Sequence, residues 1–218
     1  MKYSSGTKPF FSVILLAFVL CITITILGCQ PAGGPVRKND EWANMEADLT
    51  FHRGEAYYQK ANYEAALIQY RKYLDEYAEL HRADDVAFRI AQSLEASGER
   101  IEAADAYRAL AMMYSRSGLA PSAHLRAGEL YELEGWLKDA RWDYRKSAKY
   151  RFTDAGKLAH QRAIAVDKIL DPDKYGMSAQ IIREDSSETE PAREYPKSSY
   201  DREFPPKGRP LINVLLGR

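Results

Sequence analysis

An all-α fold, built as a stack of helix-turn-helix repeats and closed by one terminal helix, is predicted by three observations. Between Phe51 and Arg151 the chain repeats itself at a spacing of 37 residues. Gly54, Ala91 and Gly128 fall in one column, followed by Tyr57, Leu94 and Tyr131, by Ala61, Gly98 and Gly135, by Ala66, Ala103 and Ala140, and by Tyr70, Tyr107 and Tyr144. Within each unit two stretches of helical periodicity are parted by a short break at the third of these columns. After the third unit a further amphipathic stretch, Thr153 to Leu170, stands alone before Asp171-Pro172.

The elements can be taken in order. In the second unit the first helix runs from Ala83 to Ser97, with Asp84 and Asp85 near its positive N-terminal end. Gly98 interrupts it, and a second helix carries Ile101, Ala104, Tyr107, Ala111 and Tyr114 on one broad face. In the third unit Pro121 suits a first helical turn and Gly135 again supplies the break. The small columns let the two helices approach closely, and the tyrosines fill the space left between them. One such pair cannot bury its own apolar face, so pairs stack. Three repeats are thereby assigned to residues 44–152. Thr153 is an N-cap with Asp154 behind it, and Leu158, Arg162, Ala165 and Ile169 recur at helical spacing before Pro172 stops the helix. Residues 153–170 are read as a helix capping the last apolar surface.

A small residue, an aromatic three on, Gly four further, Ala five beyond and an aromatic four later is the pattern of tetratricopeptide repeats, which this chain resembles over roughly half its length. The resemblance implies a right-handed superhelical stack. The longer spacing, with Tyr77 and Tyr114 ending second helices, is similar to that of BamD-type lipoproteins of outer-membrane assembly. It implies a non-enzymatic scaffold that binds peptides or partner helices along the face made by the first helices. The residues so placed are Phe51, Glu55 and Tyr58, then Asp85, Phe88, Gln92 and Glu95, then Leu125, Glu129 and Glu132. Such a groove is acidic with apolar spots, and suits a partner segment with basic and apolar residues. The carboxylate clamp of chaperone-binding members is set aside, because it needs Lys, Arg and Asn where this chain has Phe51, Glu55, Phe88 and Gln92. The plainer alternative is that Phe88 and Leu125 are partly buried between repeats and the acidic residues only solubilise the array.

The N-terminus reads as an export signal. Lys2 and Lys8 precede an apolar run from Phe10 to Leu27, and the run ends in Ile26-Leu27-Gly28-Cys29. Those four residues resemble a bacterial lipobox, in which cleavage precedes the cysteine and lipid is attached to its thiol. Residues 1–28 would be the signal peptide, Cys29 the lipidation site, and 29–43 a tether rich in Pro and Gly. Cys21 follows Leu20 and has no small residue before it. The alternative is an uncleaved membrane-spanning helix, since the run lies at the lower edge of a spanning length. Gln30 after the cysteine, in place of Asp, points to the periplasmic face of the outer membrane.

From Asp171 to Arg209 the composition turns to Pro, Ser and mixed charge, so residues 171–218 read as a disordered or extended tail. The closing apolar run, Pro210 to Leu216, either folds back onto the array, dangles or docks a partner.

No motif for chemistry emerges. His52, His81, His124 and His160 lie far apart, without an HExxH arrangement, a CxxC pair, a Gly-rich phosphate loop or a G-x-S-x-G elbow. No metal, cofactor or enzymatic activity is expected. A formal net charge of zero gives no polybasic case for nucleic acid or anionic lipid. The expected partners are proteins of the cell envelope, beside the lipid anchor. Secretin pilotage and regulation of a cell-wall enzyme by a peptidoglycan-associated protein are the alternative functions.

Overall fold

The computed structural model describes residues 41–176, 204 and 210–218. The expected signal peptide, Cys29, the tether as far as Asp40, and residues 177–203 and 205–209 of the tail lie outside the described residues.

Six helices form three antiparallel hairpins: α1 Glu41–Gln59 with α2 Tyr63–Tyr77, α3 Ala83–Ser97 with α4 Arg100–Met113, and α5 Ala120–Leu133 with α6 Leu137–Ser147. A seventh, α7 Asp154–Leu170, packs on α6 and α5 and covers the last hairpin. The fold is all-α among the described residues, with each helix packed on its neighbour in sequence, as the repeat and its terminal helix predict. α3 spans the residues expected of it, and Thr153 caps α7 by accepting from the Gly156 N–H at 3.0 Å.

The break column is a conformational requirement. Ala61, Gly98 and Gly135 all take positive φ, at 55°, 91° and 77°. At Gly98 this left-handed residue turns its N–H back to the carbonyls of Glu95 and Leu94, which ends α3 and starts the reversal into α4. The column of small residues is a close approach. Tyr144 lies so flat on Gly128 that a Cβ there would sit 2.6 Å from the ring, and Tyr70 lies on Gly54 in the same way. Tyr70, Tyr107 and Tyr144 are all buried, as are Ala66, Ala103 and Ala140 behind them.

Three expectations need correction. Residues 41–43, assigned to the tether, are the first turn of α1, where Glu41 sits favourably at the positive helix end and Ala43 propagates the helix. Tyr57 does not share the burial of Leu94 and Tyr131. Tyr131 reaches back to Asp105 on the preceding second helix, and among the described residues no hairpin precedes α1 to receive Tyr57. The tail is not extended throughout, since Pro172–Tyr175 forms a 3-10 turn. Its last residues form a short helix, α8 Leu211–Leu216, which folds back on α4 and on the edges of α2 and α3. Leu215 is fully buried there, Arg71 Nε donates to its carbonyl at 3.3 Å, and Arg218 pairs with Asp75 at 3.0 Å. The hydrophobic effect gives the closing apolar run a site within its own chain.

Ala61 bears a strain that its two counterparts avoid. Ala61→Gly is expected to raise stability by about 1 kcal/mol, and Gly98→Ala to lower it by about the same amount. Denaturant titration of the two variants beside the parent checks both signs.

Candidate functional site: a cleft on the first-helix face

The first helices α1, α3 and α5 lie side by side and leave a cleft of about 460 Å³ between α3 and α5. Helical spacing brings Phe88, Gln92, Glu95 and Ala96 from one wall, and Ser122, Leu125, Arg126 and Glu129 from the other. Tyr58 closes one end, and Tyr107 of α4 forms part of the floor. Phe88 meets the Tyr107 ring edge-on at 5.3 Å, so it is half-buried yet still faces the cleft. Leu125 is likewise half-buried.

Of the residues expected on this face, Tyr58, Phe88, Gln92, Glu95, Leu125 and Glu129 line the cleft together. Phe51 does not: it is buried in the core, tilted against Tyr70 at 6.2 Å and covered by the Arg82 guanidinium at 5.2 Å. As the apolar residue of the first unit's column, it packs inward where Phe88 and Leu125 point out. Asp85 is exposed in the first turn of α3, away from the cleft. Glu55 and Glu132 are also not among the lining residues, and both are occupied by tyrosine hydroxyls.

The cleft is not an open acidic surface, which corrects the charge expected of it. Glu55 and Glu95 are each tied down from two sides, and Glu129 from one. The Tyr70 hydroxyl donates to Glu55 at 2.6 Å, and Arg89 of the next first helix pairs with Glu55 at 2.8 Å. One unit further, the Tyr107 hydroxyl donates to Glu95 at 3.1 Å. Arg126 Nε donates to the same carboxylate at 3.1 Å, and Arg126 also pairs with Glu129 at 2.7 Å. Burial first, and the adjacent carboxylates second, push the Tyr70 and Tyr107 hydroxyls well above their ordinary value, so both remain donors. The hydrogen bond it donates to Glu95 holds the Arg126 guanidinium above its ordinary value against the opposing effect of burial. The chemistry left to an incoming group is an apolar floor at Phe88, Leu125 and Tyr58, rimmed by charges already neutralised.

Arg89 and Arg126 are the residues the sequence reading missed. The signal was present, because they stand one repeat apart and directly follow Phe88 and Leu125.

Behind the cleft lies a buried polar node. Arg108 Nε donates to Asp143 Oδ2 at 2.8 Å and its Nη1 to Asp139 Oδ1 at 2.8 Å, while His124 Nδ1 lies 2.7 Å from Asp143 Oδ1. The guanidinium is enclosed by the rings of Tyr131 at 4.3 Å, Trp142 at 5.0 Å and Phe204 at 5.0 Å. Burial alone would lower the pKa of Arg108, but Asp143, Tyr131 and Asp139 together outweigh it and the group is held above its ordinary value. An imidazole beside a carboxylate can serve a nucleophile. Among the described residues, however, no serine, threonine or cysteine is hydrogen-bonded to His124, whose ring packs edge-on against Trp142 at 5.7 Å. The node ties α4, α5 and α6 together. His52, His81 and His160 stand apart from it and are exposed. No group of three or more His, Cys, Asp or Glu among the described residues is arranged to hold a metal ion, and none of the described helices is long and apolar enough to cross a membrane.

In comparisons with protein-family models, with curated proteins and with solved structures, the chain matches none.

Removing Arg108 takes from the buried Asp143 its guanidinium partner and leaves it only the contact with His124 described above. Arg108→Met is expected to cost about 3–5 kcal/mol of stability. Arg108→Met combined with Asp143→Leu should cost clearly less than the sum of the two single changes. A double-mutant cycle by urea unfolding reads this directly.

Proposed function

We propose that this chain is a lipid-anchored, non-enzymatic scaffold of the bacterial cell envelope, whose helical repeats hold a partner protein segment in the cleft between α3 and α5. The observation that carries the reading is the cleft itself. Three consecutive first helices present Tyr58, Phe88 and Leu125 around one hollow, with every nearby glutamate already paired. A volume of about 460 Å³ accommodates two or three side chains of a bound segment. The paired rim favours a partner that brings apolar anchors in place of a run of lysines, since its cations would have to displace Arg89 and Arg126.

The resemblance of the repeats to BamD-type lipoproteins, together with Ile26-Leu27-Gly28-Cys29 after an apolar run, supports an outer-membrane assembly role at the periplasmic face. An acylated Cys29 with a second chain would anchor the protein firmly without a spanning helix.

Ser122 stands exposed at the cleft rim, and Leu125 lies half-buried on its wall at the edge of the core. Crosslinking capture from intact membranes is expected to recover an outer-membrane partner with the parent chain. Ser122→Arg combined with Leu125→Glu should lower that recovery about tenfold. Cys29→Ala should leave the chain unprocessed and out of the outer-membrane fraction. Undiminished recovery with the cleft variant would place the partner elsewhere, and normal processing of Cys29→Ala would remove the lipid anchor from the proposal.

A further inference from the structure

The second-helix side of the array carries chemistry that neither the repeat nor the cleft uses. Lys138, Arg141, Arg145 and Lys146 of α6, with Lys149 just past its end, gather around Trp142 and line a groove of about 300 Å³. The groove continues, sharing Arg145 and Lys149, into a hollow of about 290 Å³ against α7 that adds Arg151 and His160.

One carboxylate of α7 faces this cluster. Asp167 accepts from Arg145 Nη2 at 2.8 Å on both oxygens, and Arg141 lies 3.4 Å from it while pairing with Asp171 at 2.8 Å. Burial pushes the Asp167 carboxyl up, but Arg145 and Arg141 outweigh it and hold the group below its ordinary value. Asp167 is therefore fully committed to those two arginines. Among the described residues no carboxylate pairs with Lys146, Lys149 or Arg151, and Lys146 rests over the Trp142 ring at 4.6 Å. The surface keeps a net positive charge that the zero balance of the whole chain conceals.

Next to these cations stands Phe152, 98% exposed, in the turn between α6 and α7. The turn is pinned. The Tyr150 hydroxyl donates to the Ser115 carbonyl at 2.9 Å, and the Thr153 N–H donates to the Tyr150 carbonyl at 3.0 Å. Phe152 is thus held outward by a fixed backbone, and its ring gains nothing while it stays in water. A protruding aromatic flanked by Lys149 and Arg151 matches a surface that is anionic outside and apolar a few ångströms below. A soluble polyanion would satisfy the cations and leave Phe152 wet.

We propose that the α6–α7 turn with the basic face of α6 is a docking surface for a membrane rich in anionic phospholipid, with Phe152 entering the acyl boundary and Lys146, Lys149 and Arg151 meeting the headgroups. The contact is separate from the cleft and does not depend on how the N-terminus is held.

The test uses the full-length chain reconstituted in vesicles of phosphatidylcholine, with or without phosphatidylglycerol. A photoreactive benzoylphenylalanine replaces Phe152, or Ile68 as an exposed control on α2. Mass spectrometry then measures lipid adducts at each position. Position 152 is expected to form lipid adducts at least about fivefold more often with phosphatidylglycerol present, because a single basic residue near an anionic surface already contributes about that factor. The excess should vanish in high salt and in the Lys146→Glu/Lys149→Glu variant, while position 68 stays low throughout. Equal yields at 152 and 68, yields indifferent to lipid charge, or adducts to protein in place of lipid would each overturn the proposal.

Discussion

Each helix pair closes around a tyrosine ring laid against a position with little or no side chain, as Tyr70 lies on Gly54 and Tyr144 on Gly128. That close approach sets the separation of the two helices, and it also aims the phenolic hydroxyl. Sixteen residues separate ring and notch in all three units, so each hydroxyl emerges beside the same stretch of the first helix. There it donates to Glu55, Glu95 or Glu132. The glutamate, fixed on one side, then accepts an arginine from the following element: Arg89 for Glu55, Arg126 for Glu95 and, more loosely at 3.8 Å, Arg162 for Glu132. A steric fit within one pair thereby becomes an electrostatic link to the next. The partly buried setting makes that link stronger than an exposed ion pair would be.

Much of this was legible because the constraint is local and periodic. A tyrosine that needs a glycine opposite leaves both residues at a constant spacing, and a reversal that needs positive φ leaves a small residue at Ala61, Gly98 and Gly135. Those two requirements are enough to locate six helices and the face on which the cleft opens. Periodicity says less about residues whose role depends on the neighbouring unit. Phe51 and Phe88 occupy one column, yet the first unit turns its ring inward onto Tyr70. Arg89 and Arg126 matter through partners 31 to 34 positions away. The closing run was legible only as a choice between folding back, dangling and docking, since no pattern within Leu211–Leu216 says that Arg71, 144 residues earlier, will accept it.

The buried node around Arg108 extends the same logic across hairpins. Asp139 and Asp143 project from α6, His124 from α5 and Arg108 from α4, so no two adjacent helices can shift without disturbing the set. A buried ion pair contributes little net stability compared with apolar packing, but it penalises misregistration heavily. In an array whose units resemble one another, that penalty selects one register among several of similar hydrophobic quality. Phe204 against the guanidinium brings the C-terminal segment under the same control.

The distribution of charge follows from these commitments. Carboxylates on the first helices are consumed by tyrosines and arginines, which leaves the cleft nearly neutral and apolar at its base. On α6 the two aspartates turn inward to Arg108, and the lysines and arginines of that helix remain outside with fewer counter-charges than the composition implies. A chain with as many acidic as basic residues can therefore present two chemically distinct faces, because the carboxylates of the first helices and of α6 are spent on internal links with arginines while Lys146, Lys149 and Arg151 are not. The balance of a sequence predicts the surface only when charges pair at random. Repeats built on tyrosine–glutamate–arginine links make that pairing systematic.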